Sequence, residues 1–256
     1  MSSSNSYIIY EGASLLDSAP IVVIATGFDS ASENDKTGDM IQTFIIRSDV
    51  EPTIAAQTGQ DASVCGDCKH RGTIEDGKNV GRTCYVNIGQ SVLAVYRAYK
   101  RGSYSHWDSS THSTRGRFVR LGTYGDPMAV PIGVWHEFLL DADGHTGYTH
   151  QWANPNIDGT RYRGLCMASV DTPDEAALAR RAGWRYFRVA LPSHASKQKG
   201  ETLCPASAEA GRALTCDKCR ACDGLGRGLT KSIFIPAHGN SAVMANIRRR
   251  DAAVAA

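Results

Sequence analysis

Residues 165–190 read LCMASVDTPDEAALARRAGWRYFRVA, and this stretch decides the fold. Leu165 to Val170 is a short apolar run bounded by a polar residue, the pattern of a buried strand. Thr172 then supplies a helix N-cap, Pro173 suits the first helical position, and Asp174 and Glu175 complement the positive end of the helix dipole. Ala176 to Ala182 continues the helix, Gly183 stops it, and Trp184 to Ala190 reads as the next strand. Strand, helix and strand in succession form a βαβ unit, which lays two strands parallel in one sheet.

The same alternation extends outward. Pro20 to Ala25, closed by Thr26 and Gly27, and Met40 to Ile46 read as buried strands, with a polar loop from Ser30 to Asp39 between them. Cys65 to Thr83 has almost no apolar periodicity and reads as a loop, which a bound metal would hold in place. Asn87 to Tyr99 places Val92, Val95, Tyr96 and Tyr99 at helical spacing. Arg97, Lys100 and Arg101 lie near that helix's C-terminus, with Gly102 as cap. Phe118 to Leu121 reads as a strand followed by the turn Gly122 to Pro127, and Ile132 to Leu140 as a helix. Gly147 to Trp152 and Ile233 to Pro236 read as further strands. The expected class is α/β, a partial or small (β/α) barrel with cysteine-rich metal-binding loops. One barrel-like domain spans residues 1–236, including the cysteine loop 65–84 and the cysteine-rich segment 204–222. Residues 237–256 form a closing helix and tail.

The chain has 256 residues, 42% hydrophobic and 21% charged, enough for one sizeable core. No apolar run reaches the ~18 residues of a membrane span, so no membrane partner is expected. The opening MSSSNSYIIYEG lacks a secretory leader pattern, so a cytoplasmic setting, bacterial or in a phage-infected cell, is expected. The net charge of +2 demands no nucleic-acid partner. Basic segments at Arg97–Arg101, Arg115–Arg120 and Arg248–Arg250 read as solvated surface, with a phosphate-bearing substrate as the second reading.

Seven of the eight cysteines fall in two groups. Cys65, Cys68 and Cys84 form C-x2-C-x15-C. Cys204, Cys216, Cys219 and Cys222 form C-x11-C-x2-C-x2-C, and Cys166 stands apart. A reducing compartment disfavours disulfides, and C-x2-C pairs are metal-knuckle spacings. Thiolates suit zinc and iron–sulfur clusters alike. The second group, three cysteines at i, i+3 and i+6 with a remote Cys204-Pro205, leans toward an iron–sulfur centre, while four thiolates would also close a zinc site. The first group either closes on zinc with His70 or leaves one iron of a four-iron cluster open.

These elements, in this order, resemble radical S-adenosylmethionine proteins, in particular small ones encoded by phages and plasmids. The resemblance rests on the cysteine loop after a strand, the Cys84-Tyr85 pair, the turn Tyr124-Gly125-Asp126-Pro127, and Gly147-Tyr148-Thr149-His150. The sequence departs from the family in cysteine spacing, where C-x3-C-x2-C is usual, and in having Gly-Asp where the family has Gly-Glu. The resemblance implies a 4Fe-4S cluster on Cys65, Cys68 and Cys84, with S-adenosyl-L-methionine bound near Gly125, Asp126, Pro127 and His150. It also implies an auxiliary cluster on the second cysteine group. The implied activity is formation of a 5′-deoxyadenosyl radical that modifies an unidentified small-molecule, nucleotide or nucleic-acid substrate, with an external electron donor.

Two other readings stay open. One is a non-catalytic zinc protein that binds nucleic acid or protein through its basic segments. The other is a zinc-stabilised (β/α) barrel acting on a nucleobase, similar to transglycosylases, with Asp126 or Asp171 as nucleophile. Of His136, His145, His150 and His238, only His150 falls at a strand end where a barrel mouth would form. Gly224 to Gly228 reads as a loop. No P-loop, Rossmann glycine motif or nucleophile elbow is present.

Overall fold

The computed structural model describes residues 5–29, 36–211 and 214–255. Of the loop expected over Ser30 to Asp39, residues 30–35 lie outside the described residues, as do 212 and 213 in the cysteine-rich segment.

The chain begins with β1 (Ser6–Ala13), β2 (Pro20–Thr26) and β3 (Met40–Arg47). After α1 (Pro52–Thr58) and α2 (Ala62–Cys65) comes a small hairpin, β4 (Thr73–Glu75) and β5 (Lys78–Val80). A π-helical turn over Ile88–Val92 leads into α3 (Leu93–Lys100) and the short β6 (Ser105–His106). Then follow β7 (Phe118–Tyr124), α4 (Ile132–Phe138), β8 (Gly144–Thr149), β9 (Met167–Val170), α5 (Pro173–Arg181) and β10 (Tyr186–Ala190). The chain closes with β11 (Glu201–Leu203), α6 (Cys216–Cys219), β12 (Ser232–Pro236) and α7 (Ser241–Ala255).

One ten-stranded sheet has the order β11-β12-β10-β9-β8-β7-β3-β2-β1-β6. Within it β3, β7, β8, β9, β10 and β12 lie side by side in chain order, every pair parallel. This is the singly wound order of a (β/α) barrel, but the sheet does not close. The free side of β3 carries the antiparallel strands β2 and β1, and the far side of β12 carries β11. Both positions that closure would join are therefore occupied by other strands.

The βαβ unit forms as its residues dictate. The Thr172 hydroxyl accepts a hydrogen bond from the Glu175 amide, and Gly183 takes a left-handed φ of 77°. Ala176 and Ala179 are buried, and α5 packs against β9 and β10. The strands that show as uninterrupted apolar runs, β2 and β3, are covered on both faces: Ile21 to Ile24 and Ile45 to Ile46 are fully buried.

Several boundaries differ from the sequence reading. The sequence reading places no strand before Pro20, yet β1, with its strand-forming Tyr7-Ile8-Ile9-Tyr10, pairs along β2. β7 runs on through Gly122 to Tyr124, so the turn starts at Gly125. β8 spans Gly144–Thr149, which leaves His150 just past the strand. Cys65–Thr83 is built from the end of α2, a 3-10 turn and a hairpin. The polar loop is held by ions rather than by apolar packing. Asp61, with a fully buried side chain, pairs with Arg71 (2.7 Å) and Arg82 (3.3 Å). Arg71 also donates to the carbonyls of Gly66 and Gly59, both at 2.7 Å.

Candidate functional site

In parallel sheets of this winding, ligands bind beyond the C-terminal strand ends. Here those ends carry almost every residue singled out in the sequence. α2 and the loop after it, following β3, bring Cys65, Cys68 and Cys84. Gly125 and Asp126 follow β7, His150 follows β8, and Asp171 follows β9. The second cysteine group lies between β10 and β12, and His238 follows β12. A cavity of about 480 Å³ opens there, lined by all seven grouped cysteines together with Gly125, Asp126, His150 and His238. That volume falls in the usual range for small-molecule sites.

Within each group the thiols act on one another electrostatically. Cys68 and Cys84 help raise the pKa of Cys65, while Cys204, Cys216 and Cys219 help raise that of Cys222. Burial is the larger cause throughout, and it pushes Cys68 up to about 12. All eight cysteines are free, and no disulfide joins them. Cys166 is buried in the core away from the cavity, with its sulfur against Gly147.

Among the described residues, no three Cys, His, Asp or Glu side chains are arranged to close on a single ion. A tetrahedral zinc needs its sulfurs about 3.8 Å apart. The thiols are thus gathered at one cavity without forming a single-ion site.

His70 does not complete the first group. Its Nδ1 lies 2.7 Å from the Thr83 hydroxyl and its Nε2 lies 3.2 Å from Asp171 Oδ1, so both ring nitrogens are taken. The Arg250 guanidinium, from α7, donates to the other Asp171 oxygen. Burial pushes the Asp171 pKa up, but the hydrogen bond from His70, with charge from His70 and Arg250, holds the carboxyl well below the usual carboxylate range. Arg250 therefore leaves the solvated set, whereas Arg248 and Arg249 are exposed.

Asp126 is also committed. Its Oδ1 accepts from the Met128 amide (3.0 Å) and its Oδ2 from the His150 amide (2.7 Å). Burial raises its pKa, against these hydrogen bonds. Gly125 is required by packing rather than by a ligand: at φ 85°, a Cβ there would sit 2.6 Å from the Ile45 Cβ. Pro127 is buried behind the cavity wall, and its carbonyl accepts from the Trp135 indole at 2.9 Å. His150 differs from these three. Its Nε2 is buried without a hydrogen-bond partner, its ring lies 5.4 Å from that of His70, and burial lowers its pKa. A neutral imidazole at the cavity wall is free to accept or donate one hydrogen bond.

The second cysteine segment is fastened at several points. The Cys204 amide donates to Phe234 O on β12, and Cys222 O accepts from Gly147 on β8. Arg185, almost wholly buried, pairs with Asp223 at 3.1 Å and donates to Ala221 O at 2.7 Å. Tyr85, next to Cys84, stacks on His238 with ring centroids 5.7 Å apart. His136 is exposed on α4, and His145 lies outside the cavity lining. Comparison with known protein families, with curated proteins and with solved structures gives no match. No helix among the described residues is long and apolar enough to cross a membrane.

Proposed function

We propose that this protein is a radical-SAM-like iron–sulfur enzyme. The observation that carries the proposal is the meeting of both cysteine groups at one cavity, beyond the C-terminal ends of six successive parallel strands. The first group offers three thiolates, and His70 is withheld from it by Thr83 and Asp171. That favours a cluster with one open iron over a closed Cys3His zinc site. The second group offers four thiolates, a full set for a closed auxiliary centre.

Cys65, Cys68 and Cys84 would hold the first cluster, and Cys204, Cys216, Cys219 and Cys222 the second. When bound, the first cluster would supply an electron, from an external donor, for cleavage of S-adenosyl-L-methionine to methionine and a 5′-deoxyadenosyl radical. The chain's own part is placement and exclusion of water. His150 offers one ring nitrogen to the ligand. Asp126 keeps the ends of β7 and β8 in register through the two backbone amides, a positioning role. The same commitment, and the ion pairs of Asp171, argue against either carboxylate as a nucleophile on a nucleobase. The buried cysteine thiols must lose protons to bind metal, so loading releases protons.

The test is anaerobic incubation of reconstituted protein with S-adenosyl-L-methionine and dithionite. Formation of 5′-deoxyadenosine that is lost in Cys68→Ser supports the proposal. No 5′-deoxyadenosine from a protein that carries its iron would overturn it.

A further inference from the structure

The cavity wall contains a cation that no carboxylate among the described residues pairs with. Arg120 lies on β7, in register with Gln42 of β3 and Thr146 of β8, and lines the cavity. It is close enough to Tyr85, beside the first cysteine group, and to Cys216, in the second, to act electrostatically on both. Its Nε is buried without a hydrogen-bond partner. Among the described residues no carboxylate pairs with it. Asp126, the carboxylate in the lining among the described residues, spends its oxygens on backbone amides. Lys36 and Arg220 line the same cavity, and Arg220 lies over the Phe118 ring at 3.9 Å.

A guanidinium cannot shed its proton, and a buried donor left unpaired is costly. Among the described residues no acceptor meets the Arg120 Nε–H, and an acceptor carried by a ligand in the cavity would fill that place. The planar fork of arginine matches the two-oxygen edge of a carboxylate or phosphate. We propose that Arg120 binds the carboxylate or phosphate group of a small molecule seated between the two cysteine groups. Calling that molecule the substrate rests on the proposed function. The anion site itself stands on Arg120 and its surroundings.

Inorganic phosphate and succinate, titrated separately into the full chain at constant ionic strength and followed by calorimetry, test the site. Saturable binding of either anion is expected. Arg120→Gln should weaken it about tenfold or more, while Arg101→Gln, an exposed arginine outside the cavity, leaves it unchanged. Preference for phosphate assigns a phosphorylated ligand, and preference for succinate a carboxylate. If Arg120→Gln does not fold, phosphate should shield Arg120 of the wild type from phenylglyoxal, read by peptide mapping. No saturable binding of either anion overturns the proposal, as does equal binding by a folded Arg120→Gln or absence of shielding. Iron analysis of the same samples separates the two ideas. Arg120-dependent anion binding in a chain that takes up no iron would keep the anion site and remove the iron–sulfur reading.

Discussion

Asp126 looks on paper like a ligand-binding acid and serves in the structure as a clasp. Its two oxygens hold the amides of Met128 and His150, and its own amide donates to Val64 O at 2.6 Å. Asparagine supplies one acceptor oxygen where two are used, and it turns an N–H toward an amide. Asp126→Asn should therefore lower stability by about 1–3 kcal/mol, read by urea unfolding. Unchanged stability would show that the clasp contributes nothing. Gly125 has the same character, since the space a Cβ would need belongs to Ile45. A sequence shows that glycine, aspartate and proline make a turn. It does not show whether their polar atoms face a ligand or a neighbouring amide, because that depends on which strands meet across the sheet. His150 stood out in the sequence by its place at a strand end, and the structure puts it in the cavity wall. Arg120 was hidden in a basic segment that reads as surface. Only the alternation of faces along β7, fixed by pairing with β3 and β8, turns it inward.

Among the elements, the two cysteine segments follow one plan. Each is polar, each lies beyond a strand end, and each is fastened by an arginine paired with a buried aspartate. Arg71 ties Asp61 to two carbonyls around Cys65, and Arg185 ties Asp223 to Ala221 O beside Cys222. Removing one partner of such a pair strands the other charge. Arg185→Gln should cost about 3–5 kcal/mol, whereas Cys68→Ser should change the unfolding free energy of the metal-free chain by no more than about 0.5 kcal/mol. Chemical denaturation of the two variants makes the comparison. A larger loss from Cys68→Ser would show that the thiol, not the ion pair, holds the fold. The βαβ unit was legible residue by residue, because cap, proline and glycine signals are local. These arginine fastenings were not, since they join residues brought together only by the finished fold. The strand-forming run Tyr7 to Tyr10 of β1 was readable locally, but its place beside β2 was not, for the same reason.

At the scale of the whole molecule, the alternating strands and helices revealed a parallel sheet wound in chain order. They did not reveal that β1 and β2 would occupy the edge needed for closure. The far edge depends on another charge pair. Arg188 and Glu201, both with fully buried side chains, meet at 2.7 Å and join β10 to β11. The arginine holds the Glu201 pKa below its ordinary value although burial opposes it. A depressed carboxyl pKa stabilises the fold above the unfolded value of about 4.3, and the contribution is lost as pH falls through the folded value. Thermal stability should drop below about pH 4, and Glu201→Gln should flatten that drop while lowering stability at pH 7. An identical acid limb in the variant would remove Glu201 from the account.

The convergence of both cysteine groups on one cavity is the central claim, and metal content tests it most directly. Iron, acid-labile sulfide and zinc should be measured per chain after anaerobic purification and reconstitution. The wild type should hold iron and sulfide in near-equal amounts, well in excess of zinc. A Cys65→Ala, Cys68→Ala, Cys84→Ala variant should lose the first cluster's share and keep the second's. Zinc alone, or iron that is indifferent to those three cysteines, would contradict the account.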